Sequence, residues 1–486
     1  MKLTTRAMQV LSEQEMERIW QAALRIWARV PLRAPGTDEF MSALRDFGCT
    51  IDGDRIGFPE DVREKTLARI AAAREQAGPP RPAVVEDARV GYQTNGQAFY
   101  ACDFQTERLR MATTADLEQW CHVCDLYPEM GRGHPTFIPQ DVPRASCDVH
   151  TFATVILHSS RPCLVSVYDA EMIPFFIELQ AVAEGSVEAV REHPVFNTMC
   201  YMNSPFMISR EAIEIGMSAR ELLDQPLRIF SMPVMGTAMP VTLAGTLALA
   251  TAECLAANVV TLALDDRLSG WTEAPVSFDM RAGAAVATGP EVNLLRLACQ
   301  QMAAHLFGGQ WSAMAGLSTS AKAPGPQAMT EKALEGMWGL ANGVRSFASL
   351  GILATSDAAS VTQLMLDLEI VGFLARLARG VECDDERIAE ELSARVAPRG
   401  AYFLDQEHTA RHFREELWLP ELMDRRTPMA WAADPTDMLA RARTKAARVI
   451  AAAQNHCPLS DEQRRQVAEI VAAADAAADR GGRRQR

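Results

Sequence analysis

Residues 317–351 constrain the fold of this chain more than any other stretch. They run from an apolar strand end through a polar loop with two prolines into a helix, and then into a second apolar run, LSTSAKAPGPQAMTEKALEGMWGLANGVRSFASLG. Strand, loop, helix and strand make the repeating unit of parallel α/β enzymes, in which the loop after the strand carries the chemistry. This loop contains Ser318, Ser320, Lys322 and Gln327, so we predict functional side chains here.

The same alternation of short apolar runs and long helical stretches recurs from about residue 120. It predicts strands at 163–168, 196–202, 227–232, 267–271, 311–317 and 346–350, and helices at 171–184, 209–223, 242–264, 290–306, 329–342 and 360–377. The segment 130–157 and the region after 380 could supply two more units. Eight units close into a (β/α)8 TIM-type barrel of the α/β class. An open doubly wound sheet is the alternative, but no Gly-x-Gly-x-x-Gly follows the first strand.

The residues before 120 lack this repeat. Residues 10–30 have the apolar spacing of an amphipathic helix, and residues 39–78 read as a helix, a hairpin turning at Gly53, and a second helix. The prolines at 79, 80 and 82 then end the helical pattern. We therefore predict an N-terminal helical and hairpin extension over 1–120, the barrel over 121–430, and a C-terminal helix with a disordered basic tail over 431–486.

Composition excludes several functional classes. The formal net charge of −14 argues against nucleic-acid binding, which needs clustered cations. The longest apolar run, 241–264, is interrupted by threonines, a glutamate and an asparagine, so it predicts a buried helix and no membrane span. Eleven cysteines in a large chain without an apolar leader indicate reduced thiols and a cytoplasmic location. Cys121 and Cys124 have no second cysteine pair to complete a zinc site, so we predict no metal.

Aromatic residues recur where the predicted strands end. Tyr168, Tyr201, Phe206 and Trp271 occupy such positions in a chain with only 7% aromatic residues, and Asn203 lies among them. Aromatic faces attract quaternary ammonium groups through cation–π interactions. The alternative, that these rings simply plug the barrel mouth, stays open.

Charged residues could complete the binding of such a cation, and of a carboxylate if the ligand also carries one. Glu273, Asp279 and Glu331 could support its cation, although Asp279 could instead form a structural pair with Arg281. A substrate carboxylate needs a basic partner, for which the candidates are Lys322, His408, Arg411 and His412. His408 and His412 share one helical face, where capping or packing is the alternative role.

Six segments in order resemble the trimethylamine methyltransferase family. Besides the loop at 317–351, they are the opening helices with their hairpin, FYACDFQTERLRMATTADL at 99–117, PVMGTAMPVTLAGTLALATAEC at 233–254, SFDMRAGAAVATGPEVNLL at 277–295 and LDQEHTARHFREELWLPELMDR at 404–425. The resemblance implies a TIM-type barrel that moves a methyl group from an amine to the cob(I)alamin of a separate corrinoid protein, with no tightly bound cofactor of its own.

Within that family, members acting on trimethylamine carry pyrrolysine, and this chain has only standard residues. The resemblance therefore implies a quaternary amine such as glycine betaine, proline betaine or carnitine as the methyl donor, and argues against trimethylamine. A homo-oligomer is left open.

Two other functions remain as alternatives at this point. One is a non-catalytic barrel that binds quaternary ammonium compounds. The other is a barrel lyase or aldolase in which Lys322 forms a Schiff base, which requires a desolvated lysine.

Overall fold

The computed structural model describes residues 3–104, 106, 108–161 and 163–484. Helices dominate. Their bounds are Glu13–Trp27, Asp38–Phe47, Glu60–Ala77, Thr114–Asp125, Cys147–His158, Ile173–Glu184, Val187–Glu192, Arg210–Leu223, Leu243–Asp265, Pro290–Phe307, Pro326–Ala341, Val361–Arg379, Asp385–Ile388, Glu390–Val396, Glu407–Glu416, Pro428–Ala433, Met438–Ala452 and Asp461–Arg484, with short 3-10 turns at Arg144–Ser146, Ala170–Met172, Ala354–Ser356 and Ala397–Arg399.

The strands are short. They span Thr5–Arg6, Leu32–Arg33, Thr50–Asp52, Arg55–Gly57, Arg81–Pro82, Val84–Val85, Gly91–Thr94, Gln97–Ala98, Tyr100–Cys102, Leu109–Met111, Gly131–Arg132, Thr136–Phe137, Val165–Ser166, Phe196–Asn197, Cys200–Asn203, Met207–Ile208, Ile229–Ser231, Val234–Met235, Val276–Asp279, Ala284–Val286, Gln310–Trp311, Ser346–Leu350, Ile352–Leu353 and Ala358–Ala359. Alternating helices and mostly parallel strands make this an α/β protein, as predicted.

Local sequence signals explain the first elements. Ser12 and Glu15 form a reciprocal capping box at the start of helix Glu13–Trp27, which satisfies backbone N–H groups that the helix itself leaves free. The predicted hairpin is confirmed: Thr50–Asp52 pairs with Arg55–Gly57, and Gly53 takes the left-handed conformation in the turn.

Parallel pairings connect strand segments that are far apart in the sequence. Segment 91–98 pairs with 131–137, and Leu164 N–H donates to Gly133 O at the next step. Further parallel pairs or bridges join Val165–Ser166 to Phe196–Asn197, Cys200–Asn203 to Ile229–Ser231, Val234–Met235 to Val276–Asp279, and Gly316 to Ala348. Ser346–Leu350 then pairs with Gly91–Thr94. Each of these segments is paired with the next, with one exception among the described residues: no backbone pairing joins Val276–Asp279 to 310–317.

The strand predicted at 267–271 is wrong. The side-chain amide of Asn258, on helix Leu243–Asp265, donates to Gly270 O at 2.9 Å, and its Oδ1 accepts from Gly270 N–H at 3.1 Å. This clasp binds the loop to the end of the helix, so the strand of this unit begins later, at Val276. The other five predicted strands overlap observed ones, and all six predicted helices are present within a few residues.

Segments from the predicted N-terminal extension pair with later ones. Leu32–Arg33 pairs with Met207–Ile208, Arg81–Pro82 with Gln310–Trp311, and Gly91–Thr94 with Ser346–Leu350. The boundary at residue 120 stays a prediction, and any division of the chain has to keep 91–94 together with 346–350. At the other end, helix Asp461–Arg484 extends through the segment predicted to be disordered, and residues 485–486 lie outside the described part.

Helix Leu243–Asp265 is the one described helix long and apolar enough to cross a membrane. Within its most apolar window, 83% of the residues are buried inside the protein. It packs against helices Glu13–Trp27 and Asp38–Phe47 and carries buried Glu253 and Asn258. These contacts fit the predicted buried core helix.

Candidate functional site

A hollow of about 590 Å³, which we call the strand hollow, lies among the parallel segments. Its lining combines aromatic and thioether side chains with amides and carries few charges. The lining residues are Asn95, Gly96, Gln97, His134, Leu164, Pro194, Phe196, Asn197, Thr198, Met199, Tyr201, Gln225, Arg228, Phe230, Met232 and Ser356. Nine of these sixteen residues lie inside a strand or immediately before one, and three directly follow a strand, where the sequence predicted the site: Asn95, Thr198 and Met232.

Strand alternation sets which side chains face the strand hollow. In strand Cys200–Asn203 the first and third residues are buried, and Tyr201 and Asn203 are exposed on the opposite face. Tyr201 lies in register with Phe230, and their rings meet edge to face with centroids 6.3 Å apart. The two neighbouring strands therefore present an aromatic pair to the strand hollow.

A chain of hydrogen bonds links the two predicted tyrosines across the strand hollow. The Tyr168 hydroxyl donates to Gln97 Oε1 at 2.6 Å, and Gln97 Nε2 donates to Ser166 Oγ at 2.8 Å. Asn197 Nδ2 donates to the same serine oxygen at 3.4 Å and to the Tyr201 hydroxyl oxygen at 2.9 Å. Because the Tyr201 oxygen is the acceptor in this bond, its hydroxyl proton remains available to donate to another group.

The described lining of the strand hollow includes an arginine and no carboxylate. Arg228 is exposed there, and no aspartate or glutamate is among the described residues that line it. His134 also contributes to the lining, and burial lowers the pKa of its imidazole below the usual value. Behind Tyr168, the buried Asp148 accepts from the tyrosine backbone N–H at 2.8 Å, and burial raises the pKa of its carboxyl to about 6. Arg228 therefore supplies the permanent charge of the lining.

Several predicted site residues lie away from the strand hollow. Phe206 is 2% exposed and packs in a hydrophobic core, because its backbone N–H donates to buried Glu253 Oε1 at 2.6 Å. Trp271 is partly buried against the same core and donates from Nε1 to Glu273 O at 2.7 Å. The ring of Phe206 thus does not line the mouth that the sequence predicted.

Glu273 belongs to a buried acidic pair with Glu253. Glu253 accepts from the Ser204 hydroxyl at 2.7 Å, and Ser204 Oγ lies 3.1 Å from Ser231 Oγ. Burial raises the pKa of Glu253 to about 7, and burial together with Glu253 raises the pKa of Glu273 well above its usual range. The raised pKa disfavours the charged form of Glu273, so this side chain is poorly suited to hold a cation by charge.

The remaining predicted residues have local partners. Asp279 is paired with Arg281, which holds the pKa of its carboxyl down at about 2, so the structural salt bridge named as the alternative is confirmed. Lys322 is exposed, and its Nζ donates to Ser320 O at 2.7 Å. His408 lies on the exposed helix Glu407–Glu416 with its ring centroid 4.5 Å from that of His412, which confirms that the two share one helical face.

The loop of residues 317–322 is held by two glutamates of the following helix. Glu335 Oε2 accepts from Ser318 N–H at 2.8 Å, and Glu331 Oε2 accepts from Ser320 N–H at 2.8 Å and from the Thr319 hydroxyl. Next to them, Lys332 is fully buried and lies 2.6 Å from the Asp367 carboxylate. The adjacent residues Glu331 and Lys332 thus hold loops in place. Ser318 contributes its backbone N–H, which donates to Glu335.

Sequence reasoning missed the residues that complete the strand hollow. Gln97, Asn197, Arg228 and Phe230 were not among the predicted site residues. The period-2 alternation of 227–232 carried a usable signal, since Leu227, Ile229 and Ser231 are buried whereas Arg228, Phe230 and Met232 lie on the other face.

Potential metal ligands are scattered. No group of three or more His, Cys, Asp or Glu side chains with the arrangement of a metal site occurs among the described residues. Cys121 and Cys124 are buried on helix Thr114–Asp125, and burial raises the pKa of both thiols. Protonated thiols are poor ligands for zinc.

The chain is similar in sequence to two curated methyltransferases. The chain is 23% identical over 453 residues to the trimethylamine methyltransferase MttB of Desulfitobacterium hafniense (strain DSM 10664 / DCB-2), covering 92% of this chain and 90% of the relative. It is 25% identical over 452 residues to the glycine betaine methyltransferase of Desulfitobacterium hafniense (strain Y51), covering 91% and 92%. Among solved structures, the Methanosarcina barkeri monomethylamine methyltransferase (MtmB) matches with 13% identity and a TM-score of 0.40, covering 90% of this chain and 93% of that one.

A family model described as trimethylamine methyltransferase (MTTB) matches residues 1–478, nearly the whole chain. This match confirms the family predicted from the six sequence segments and the predicted methyltransferase class. The chain therefore belongs to the trimethylamine methyltransferase family.

Proposed function

We propose that this protein transfers a methyl group from a betaine-type quaternary amine to the cob(I)alamin of a corrinoid protein in the cytoplasm. The observation that carries the proposal is the strand hollow, in which the aromatic pair Tyr201 and Phe230 lies beside amide donors and an arginine, without a lining carboxylate. Aromatic faces bind a permanently methylated cation, and polar groups at the other end fix its orientation.

We further propose that the strand segments close as a (β/α)8 barrel around this hollow. The parallel pairing of Ser346–Leu350 with Gly91–Thr94 supports closure, because it joins the last predicted strand to a segment near the start of the chain. In a closed barrel, successive strands would direct alternate side chains inward, as Tyr201 and Phe230 do.

Methyl transfer from a quaternary amine requires little acid–base catalysis by the protein. A quaternary nitrogen leaves as a neutral amine without needing a proton, and cob(I)alamin supplies, when its carrier protein docks, the nucleophile that accepts the methyl group. Tyr201 and Phe230 would desolvate the ammonium group, and Gln97 and Asn197 would hold the aromatic hydroxyls in place. Orientation of this kind can contribute roughly 7–11 kcal/mol to a reaction between two bound partners.

Among the described residues that line the strand hollow, amides and aromatic rings outnumber charged groups, which suits binding and orientation of the amine. The lyase alternative lacks its essential group, since Lys322 is exposed and hydrogen-bonded to Ser320 O instead of desolvated.

Two measurements test the proposal. Isothermal titration calorimetry with glycine betaine and with trimethylamine compares the two donor classes, and we expect heat of binding only from the betaine. Absorbance of a cob(I)alamin-loaded corrinoid protein then follows formation of methylcobalamin when enzyme and glycine betaine are added. Binding without methylation would favour the non-catalytic binding barrel, and binding of trimethylamine alone would refute the betaine assignment.

A further inference from the structure

We infer that Arg228 is the specificity-determining residue of the strand hollow and holds a carboxylate group of the methyl donor. The inference rests on the proposed function and deepens it. It assigns the substrate class as a zwitterion that carries its carboxylate a short distance from the quaternary nitrogen.

The backbone around Arg228 is fixed. Its carbonyl oxygen accepts from Cys200 N–H at 2.8 Å, which docks it beside the strand that carries Tyr201. Leu227 and Ile229 on either side of it are each 5% exposed and anchored in a hydrophobic core. Arg228 therefore projects from the opposite face of the strand, and it lines the strand hollow.

Arg228 has no carboxylate partner in the part of the chain that the structure describes. This contrasts with Arg220, just before it, which pairs with Asp265 at 2.8 Å, and with Arg132, buried near Asp125 at 3.8 Å. The chain has 62 acidic residues and 48 lysines and arginines, so partners are abundant elsewhere. An unpaired guanidinium in a cavity suits a planar anion, because its parallel N–H groups bind both oxygens of a carboxylate.

The aromatic pair lies within reach of the same ligand. Arg228 and Phe230 are two residues apart on one strand face, a spacing of about 7 Å at the usual rise per residue. A betaine whose trimethylammonium group contacts Phe230 and Tyr201 can therefore place its carboxylate toward Arg228. The Tyr201 hydroxyl, whose oxygen accepts from Asn197 Nδ2, still has a proton to donate to the ligand.

The same arrangement disfavours simple cations. Choline and protonated trimethylamine bring a positive charge and no carboxylate, so they would leave Arg228 unneutralised and face its repulsion. Negative charge of the whole chain still attracts cations toward the protein at longer range. The preference for a betaine over an analogue without the carboxylate, such as choline, thus depends on the Arg228 side chain.

The test is calorimetric titration of the full chain with glycine betaine and with choline, which share the trimethylammonium group and differ in the carboxylate. We expect the wild type to prefer glycine betaine, and Arg228→Gln to weaken glycine betaine binding at least tenfold. Choline binding should not weaken in this variant, because the loss of a repelling charge leaves it equal or tighter. Arg228→Lys should recover part of the loss, because it restores charge without the bidentate geometry. Arg267→Gln, at an exposed arginine outside the strand hollow, is the matched control and should change neither affinity.

Equal weakening of both ligands by Arg228→Gln, or no change in either, overturns the assignment of Arg228 and leaves the proposed function intact. If the wild type binds neither ligand, the betaine proposal itself fails and the inference falls with it. The folding control is to compare circular dichroism spectra and thermal midpoints of the variants with those of the wild type. If they match, a lost affinity reflects binding and not misfolding.

Discussion

The ring of Tyr201 stands nearly perpendicular to the ring of Phe230, with the two centroids 6.3 Å apart at an interplanar angle of 88°. Under the proposed function, these two rings form the corner that holds the trimethylammonium group. We expect Phe230→Leu to weaken glycine betaine binding about tenfold, because cation–π contacts contribute roughly 0.5–2 kcal/mol. Tyr201→Phe keeps the ring and should cost less.

Calorimetric titration measures both effects. Phe373→Leu is the control, since Phe373 packs against Trp418 and does not line the strand hollow. An unchanged affinity in Phe230→Leu would show that the ammonium group binds elsewhere.

Two lysines ten residues apart should behave in opposite ways. Lys332 is fully buried and paired with Asp367, whose Oδ2 also accepts from Gly351 N–H at 2.6 Å. Burial lowers the pKa of Lys332 and raises that of Asp367. Both shifts show that burial disfavours the charged forms, a cost that the attraction between the two side chains has to offset. Removing one partner leaves a buried charge uncompensated, so we expect Lys332→Met to reduce stability by about 3–5 kcal/mol.

The matched control is Lys322→Met, at the exposed lysine. We expect its urea midpoint to equal that of the wild type and its methyl transfer rate to be unchanged. Loss of transfer in Lys322→Met with normal folding would show that Lys322 contributes to methyl transfer.

The buried acidic pair predicts a pH-dependent stability. The folded protein raises the pKa of Glu253 from its ordinary value of 4.5 to about 7, so the folded state binds this proton more tightly than the unfolded state. Stability therefore falls as the pH rises from about 4.5 to about 7, by roughly 3 kcal/mol from this group. Glu253→Gln should flatten this decline.

Urea unfolding midpoints between pH 5 and pH 8 measure the effect. The variant should gain stability relative to the wild type as the pH increases, because its neutral amide can accept from Phe206 N–H without ionising near Glu273. Glu178→Gln, at an exposed glutamate, is the control. Parallel pH profiles for the wild type and Glu253→Gln would contradict the raised pKa.

Thiol reactivity should separate one cysteine from the rest. Cys383 is exposed, Cys147 and Cys457 are partly buried, and the other eight of the eleven thiols are buried. Reaction with a disulfide reagent needs an accessible thiolate. We expect one fast-reacting thiol per native chain, lost in Cys383→Ser, and all eleven in denaturant. Any fast-reacting thiol that remains in native Cys383→Ser would contradict this expectation.

Local patterns determined much of the secondary structure before any tertiary contact was considered. The Ser12 and Glu15 capping pair, the turn at Gly53 and the apolar run of Ser346–Leu350 each specify their element within a few residues of sequence. The order of strands and helices likewise indicated an α/β chain, and the ordered motifs indicated the family that the comparisons confirm.

Tertiary contacts decided which of those residues meet in a site. Phe206 closely follows the strand that carries Tyr201, yet Glu253 from helix Leu243–Asp265 accepts its backbone N–H and its ring enters the core. The loop at 267–271 is held by Asn258, so the apolar pattern there does not form a strand. Sequence period fixes the face of a strand on which a side chain lies, as it does for Arg228 and Phe230. Which partners lie opposite that face depends on strand register and on buried polar contacts between segments that are well separated in the sequence, such as Phe206 and Glu253.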